Sequence, residues 1–400
     1  MATGTTVVDQ QNKLIRFTQE INREYVRENM FSPYMGEEMT SIIRVRNELK
    51  QGGDTINLPT VRRLKTGIIG GSGTAVSQGQ LQGSEEVIDN YGQRVKVDWA
   101  RNAVVTNAAE IQKDSADIFG EAKPLLSDWG KELQRDDLIQ ALMACPSVTP
   151  AATGVRANGT LYNLASAGQL NTWNTENSDR VLYGATLAHF NATHATALGN
   201  ITATAVDSLT GKNLSLLKRV AMNADPHIRP FKTRNGYEYY VAFTGTNGFR
   251  DLKNDLNYTA TSSGGPNLLA RPREGNQVNG APDTPLWQDG DQLYDGVIVR
   301  QVPEITSFVT NVWTALKTAG ATGTARVEPV FFCGQQAATL CWGQMAKPTF
   351  LKEDDYQFKT GVGIQMCFGT AKIFSAPVNT SANLKQLGVV TGFFWSPGDP

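Results

Sequence analysis

The residues best suited to hold a metal or attack a substrate are three histidines and four cysteines, and their spacing argues against both roles. His189 and His194 stand five residues apart, off the i,i+4 face that a helical metal site uses, and His227 lies in no metal or nucleophile motif. Cys145, Cys333, Cys341 and Cys367 form no Cys-x-x-Cys pair, and none has a histidine close by in sequence. They read as small buried apolar residues in a reducing compartment. The carboxylate pairs Asp136/Asp137 and Asp354/Asp355 are adjacent in sequence, so on a helix they point in different directions and read as solvated acids. Gly67-Ile-Ile-Gly-Gly-Ser-Gly73 looks like a phosphate cradle, but it runs on into Thr-Ala-Val-Ser-Gln-Gly instead of starting a helix, which suits a hairpin tip. Gly211-Lys212 fails the P-loop pattern twice, with Asn213 for Ser/Thr and Val206 where the first glycine belongs. No nucleophile, base and orienter come together, so the expectation is a protein without catalytic residues, cofactor or metal.

The pattern that could do something is electrostatic. Residues Ile111–Met143 read as a helix of roughly 45 Å. Ile111, Ile118, Phe119, Ala122, Leu125, Leu126, Trp129 and Leu133 recur at three- and four-residue steps and share an apolar face. Asp114, Asp117, Glu121, Asp128 and Glu132 form an acidic stripe beside it. Pro124 is a potential kink, and past Asp136-Asp137 the apolar phase jumps to Leu138, Ile139 and Leu142. Ahead of this helix, 54–99 reads as a two-armed β-excursion. Asp54–Leu58 and Val95, Val97, Trp99 alternate like strands, while 60–84 is rich in Gly and polar residues. Arms of about 15 residues would reach about 50 Å, whereas a compact body of this length has a radius of gyration near ~21 Å. A hairpin projecting that far is marginal in water, so a second copy of the chain is expected to support it. Arg62, Arg63 and Lys65 lie on the outgoing arm. They are expected to meet Asp117, Glu121, Asp128 and Glu132 of a neighbouring subunit, setting register more than strength.

The frame holding these elements is that of a globular chain of two or three lobes: 400 residues, 40% hydrophobic and 19% charged. A formal net charge of −1 excludes a protein that coats nucleic acid through a basic excess. No apolar run reaches the ~20 residues of a membrane span, and the N-terminus shows no secretory pattern. Residues 12–29 and 34–50 read as helical, and 146–207, dominated by Thr, Ala, Asn, Ser and Gly, as an irregular or β-rich surface insertion. A helix over 208–224, a strand over 237–243, a helix over 249–256 and a long loop over 259–290 follow. Then come strands over 293–300 and 327–332, a helix through 335–345, and strands near 362–375 and 387–395. Strands and helices mix without βαβ repeats, so the fold class is α+β.

The order of an N-terminal arm, a long β-excursion, a long helix and a mixed remainder resembles the major capsid proteins of tailed phages, with the Hong-Kong-97-type fold. Six stretches carry a closer resemblance to the N4-like major capsid family: Val97-Asp-Trp-Ala-Arg-Asn-Ala-Val104, Leu126-Ser-Asp-Trp129, Arg229-Pro-Phe with Tyr239-Tyr-Val-Ala-Phe243, Arg250-Asp-Leu-Lys253, Tyr294-Asp-Gly-Val-Ile-Val299, and Phe332-Cys-Gly-Gln-Gln-Ala337. The resemblance implies an N-terminal arm (1–53), an extended E-loop (54–99), and a peripheral domain from 100–145 with 208–305 whose spine helix is 111–143. It further implies an axial domain with the C-terminus (306–400), leaving 146–207 as an insertion that fits the family poorly. The implied function is a virion protein that assembles with itself, as pentamers and hexamers, into an icosahedral head around double-stranded DNA. Scaffolding, decoration and portal proteins are the implied partners, the host cytoplasm is its place before assembly, and no membrane is involved. A portal, tail or decoration component is the alternative within the same class.

Overall fold

Two apolar runs, Val327–Cys333 and Val389–Trp395, are buried on both faces almost throughout, the burial that a central strand requires. The computed structural model describes residues 27, 29–47, 54–61, 82, 88, 90–113, 118–149, 151–232, 236–258, 273–274, 291–351, 358–375 and 384–398. In chain order its strands are β1 (Met35–Gly36), β2 (Ile43–Arg46), β3 (Thr55–Val61), β4 (Asn90–Lys96), β5 (Asp98–Asn107), β6 (Ala157–Asn158), β7 (Val181–Tyr183), β8 (Phe231–Lys232), β9 (Glu238–Thr244), β10 (Arg273–Glu274), β11 (Gln292–Tyr294), β12 (Val297–Gln301), β13 (Val327–Cys333), β14 (Ala338–Phe350), β15 (Lys359–Lys372), β16 (Phe374–Ser375), β17 (Lys385–Gln386) and β18 (Val389–Trp395). Its helices are α1 (Ala108–Lys113), α2 (Ala122–Met143), α3 (Ala167–Glu176), α4 (His194–Gly199), α5 (Gly211–Asn223), α6 (Thr246–Tyr258) and α7 (Pro303–Asn311).

The chain divides into a smaller unit (Met1–Glu28, Ala100–Leu133, Ala346–Met366) and a larger one (Asn29–Trp99, Gln134–Met345, Cys367–Pro400). The larger unit is organised on a sheet in the order β10-β11-β12-β9-β13-β18-β7, with β8 on β9. Its register places Phe331 opposite Phe243 and Phe332 opposite Ala242. Alternation then sends the two phenylalanines of β13 to opposite faces. Phe332 joins Leu214 and Leu217 of α5 and Phe249 and Leu252 of α6 in one core. Phe243 meets Phe31 and Tyr34 edge-on, and Phe331 meets Trp313.

A second sheet runs β1-β2-β14-β15-β5, with β6 on β15. The end of β14, the first half of β15, most of β5, α1, the 3-10 turn Ile118–Glu121 and the first half of α2 lie in the smaller unit.

Several sequence expectations are corrected. The helix expected through 335–345 is strand, β14, and the helical pattern over 34–50 contains β1 and β2, with β2 lying parallel to β14. Ala338–Cys341 is buried on both faces, which hides the alternation that would mark a strand. The run 293–300 is a hairpin: Asp295 and Gly296 both take positive φ (50° and 72°), as a two-residue turn demands. The rod over 111–143 is not one helix. It comprises α1, a 3-10 turn over Ile118–Glu121 and α2. Pro124 falls in the first turn of α2, where its missing N–H costs nothing, so it starts the helix and kinks nothing. The apolar side chains larger than glycine that α2 buries outright past its first turns are Leu138, Ile139, Ala141, Leu142 and Met143, whereas Ile111 and Leu125 are exposed and Trp129 is half-buried.

Residues 146–207 lie within the larger unit. They supply β7 to the large sheet and bury Trp173, Tyr183 and His194. The large sheet draws strands from both 208–305 and 306–400, with β9 between β12 and β13.

Candidate inter-subunit surface

The base of the β-excursion forms as expected. Strands β3 and β4 pair antiparallel from Thr55↔Lys96 to Val61↔Asn90. Ile56, Leu58, Val95 and Val97 point inward and pack with Cys341, Cys367 and Ala371, while Tyr91 packs on Phe374 and Leu384. Gln93 fixes the register from within: its Nε2 donates to Lys372 O at 2.8 Å, and its Oε1 accepts from Phe374 N at 3.1 Å. Past Val61, almost all of the excursion up to Asn90 lies outside the described residues, and so do Arg62, Arg63 and Lys65.

Where β4 passes into β5, three side chains tie the chain to the turn over 151–158. Val97 donates to Asp54 O, so Thr55 and Lys96 form a non-hydrogen-bonded pair, and the N–H and C=O of Lys96 face away from β3. Asn158 takes both: its Oδ1 accepts from Lys96 N at 2.9 Å, and its Nδ2 donates to Lys96 O at 2.8 Å. Asp98 accepts from the N–H groups of Gly154 and Trp99, and these bonds hold its carboxyl below the usual carboxylate range, the Gly154 bond most of all. Lys96 Nζ donates to Ala151 O and Thr153 Oγ1.

In the smaller unit, α2 covers one face of the sheet. Gly130 lets the helix close on Met366 and Ile364 of β15, and Lys123 Nζ lies 5.5 Å over the ring of Phe350. Of the four acids expected to meet the arm, Asp117 lies outside the described residues. Glu121 closes the 3-10 turn ahead of α2, and Asp128 and Glu132 sit one turn apart on α2 itself. All three are half-buried, and Asp128 pairs with Lys131 at 3.3 Å. On the other sheet face, β15 presents Gly361 and Gly363. A Cβ at Gly361 would stand 3.0 Å from Val105 Cγ2 and 3.2 Å from Leu351 Cβ.

The chain shows no assembled catalytic set among the described residues, and no cluster there of three or more His, Cys, Asp or Glu could hold a metal. All four cysteines are buried and free, and burial pushes the Cys145 thiol up to about 12. His194 is buried and accepts or donates only within the fold, bonding Tyr183 Oη at 2.7 Å and Tyr162 Oη at 3.0 Å. Because Tyr183 donates to Asn174 Oδ1, its oxygen is left to accept from His194 Nδ1–H, and Tyr162 donates to Nε2. Desolvation pushes His194 down to about 4, so it is neutral at ordinary pH. Lys372, also fully enclosed, donates to Gln386 Oε1 at 3.0 Å, and burial lowers it to about 8. These groups hold the fold together. Sequence reasoning missed Asn158, whose role depends on a strand 62 residues away in the chain.

A family model described as phage capsid protein matches residues 5–391 of the chain. The chain belongs to that family. This capsid protein is 32% identical to the subunit in the cyanophage Pam1 capsid asymmetric unit, over 98% of its own length and 99% of the other, with a TM-score of 0.79. It shares its fold with the capsid of Ralstonia phage GP4 at 16% identity, covering 99% and 100% of the two chains, with a TM-score of 0.70. The head structure of Helicobacter pylori bacteriophage KHP40 is similar at 13% identity, 97% and 96% coverage and a TM-score of 0.61. A search of curated protein sequences finds no match. The capsid protein is therefore the major capsid protein of a phage head, a structural protein of the virion, with a mixed helix and sheet fold.

Proposed function

We propose that this protein assembles with itself, as pentamers and hexamers, into the icosahedral head that encloses the double-stranded DNA of a tailed phage. The observation that carries this is the near end-to-end likeness to a cyanophage capsid subunit at 32% identity. The fold is read as the Hong-Kong-97 type in its N4-like form. In that reading 54–99 is the E-loop resting on a neighbour, 100–145 with 208–305 form the peripheral domain, and 306–400 form the axial domain with the C-terminus. The net charge of −1 suits a wall that contains DNA without gripping it. Portal, scaffolding and decoration proteins are the expected partners in the head, and the host cytoplasm is where assembly starts. Size exclusion and negative-stain microscopy of the purified chain test the proposal. Pentamers, hexamers or shells are expected; rings of about twelve would point to a portal, and a chain that stays monomeric would overturn it.

A further inference from the structure

The base of the β-excursion depends on an asparagine followed directly by a glycine, Asn158-Gly159, and the fold requires each for its own reason. Asn158 supplies the amide. Its Oδ1 accepts from Lys96 N, and its Nδ2 is shared among Lys96 O at 2.8 Å and Arg156 O and Thr370 O, both at 3.2 Å. Gly159 takes a φ of 104°, and a Cβ there would stand 2.8 Å from Cys145 O. Any other residue at 159 would be strained and would crowd that carbonyl.

The pair that the fold demands is also one that can destroy its own amide. Gly159 has no side chain to shield its backbone nitrogen, which can attack Asn158 Cγ. The N–Cγ bond forms, the Cγ–Nδ2 bond breaks and ammonia leaves. The cyclic imide then takes up one water and opens to aspartate or isoaspartate. Water is the sole co-reactant, and nothing is oxidised or reduced. This chemistry is one reason asparagine is thermolabile.

In the closed base, geometry blocks the reaction. Ring closure needs the Asn158 carboxamide to turn toward Gly159 N, and both ends of it are held by backbone groups of other segments. The main chain on either side is held too: Thr370 N donates to Arg156 O at 2.8 Å, and Cys145 and Thr160 exchange bonds of 2.9 and 3.0 Å. Asn158 is 7% exposed. Lifting β4 away removes the N–H and C=O of Lys96 together, which frees Oδ1 and leaves Nδ2 with its two longer bonds.

We propose that Asn158-Gly159 is a self-modification site that the docked hairpin base keeps dormant. In a chain whose base stays open, Asn158 converts, and the product cannot close the base again. A carboxylate has no N–H to donate, so Lys96 O, Arg156 O and Thr370 O would all face a negative charge. The open state becomes permanent in chains that linger in it. The site works within a single chain and does not depend on assembly.

Peptide mapping by mass spectrometry reads the conversion at Asn158 in the full chain, incubated at neutral pH natively and in urea. Only the open fraction reacts, so the native rate should be lower by about a hundredfold or more. Gln93→Ala removes the bonds from β4 to Lys372 O and Phe374 N and leaves Asn158 untouched. It should raise the native rate while the circular dichroism stays that of the wild type. Asn158→Asp, made directly, should be cut faster by a protease between 54 and 99. Native conversion at the urea rate, or a Gln93→Ala rate no higher than that of the wild type, overturns the gating. An Asn158→Asp chain as resistant to protease as the wild type overturns the one-way step, and no conversion in urea removes the site altogether. The comparison of native with urea needs no variant, so it decides even if Gln93→Ala fails to fold.

Discussion

Asn158 stands in for a strand beside Lys96, accepting its N–H at 2.9 Å and donating to its C=O at 2.8 Å. The same amide nitrogen also reaches Arg156 O and Thr370 O, both at 3.2 Å. Gly369 makes room for this arrangement, because any Cβ there would collide with the Lys96 carbonyl. One side chain therefore locks the base of the β-excursion to β6 and β15.

Asn158→Ala should cost roughly 2 kcal/mol, since it leaves the half-buried Lys96 N–H and C=O without Asn158 as their partner. Urea unfolding measures this. The variant should also be cut faster than the wild type between 54 and 99 by a protease. An unchanged midpoint would mean that the core contacts of β3 and β4 hold the base without Asn158.

The pH response of the fold should report His194. Its folded value is about 4, while an unfolded histidine titrates near ~6.5. As pH falls, the unfolded chain takes up the proton first. The stabilisation is therefore complete above about 6.5, is lost progressively down to about 4, and is then constant; the total is roughly 3 kcal/mol. The difference in unfolding free energy between wild type and His194→Gln, followed from pH 7 to 4, isolates this term. A difference that does not change with pH would remove it.

Burial along α2 sets an order of sensitivity. Ile139 is fully buried, so Ile139→Ala should cost about 2–5 kcal/mol. Trp129, half-buried, should cost about 1–2 kcal/mol when cut to Ala, on the apolar area it removes from water. Chemical denaturation of both variants checks the order, and a larger loss at Trp129 would reverse the orientation described for the helix.

Pairing between the arm cations and the helix acids is a proposal about neighbouring subunits. Arg62→Glu with Arg63→Glu should impair assembly while the monomer still folds, because like charges would then face Glu121, Asp128 and Glu132. Assembly yield and the monomer's circular dichroism are the two readouts. Normal yield would end this pairing without touching the identity of the protein.

How much was legible varies by element, for local reasons. The alternation at Ile56, Leu58, Val95 and Val97 marked the hairpin base, and the apolar runs at 237–243, 327–332 and 387–395 marked β9, β13 and β18. The Leu214, Leu217, Val220 spacing marked α5. The Asp295-Gly296 turn is present in the sequence but is masked by the apolar residues on either side of it. The 146–207 stretch hid its core because that core is built from Tyr, His, Asn and Trp hydrogen bonds, which have no apolar period.

Taken alone, the sequence determined the α+β class, the hairpin base and the family resemblance, because each is carried by residues near one another in the chain or by their order along it. Only the tertiary structure decided that 338–350 is a strand, that α2 buries Leu138, Ile139, Ala141, Leu142 and Met143 outright, and that Asn158 completes the hydrogen bonding of Lys96. Those outcomes depend on partners far away in sequence. A strand buried on both faces shows no alternation, and an amide side chain gives no local sign of the backbone it will meet.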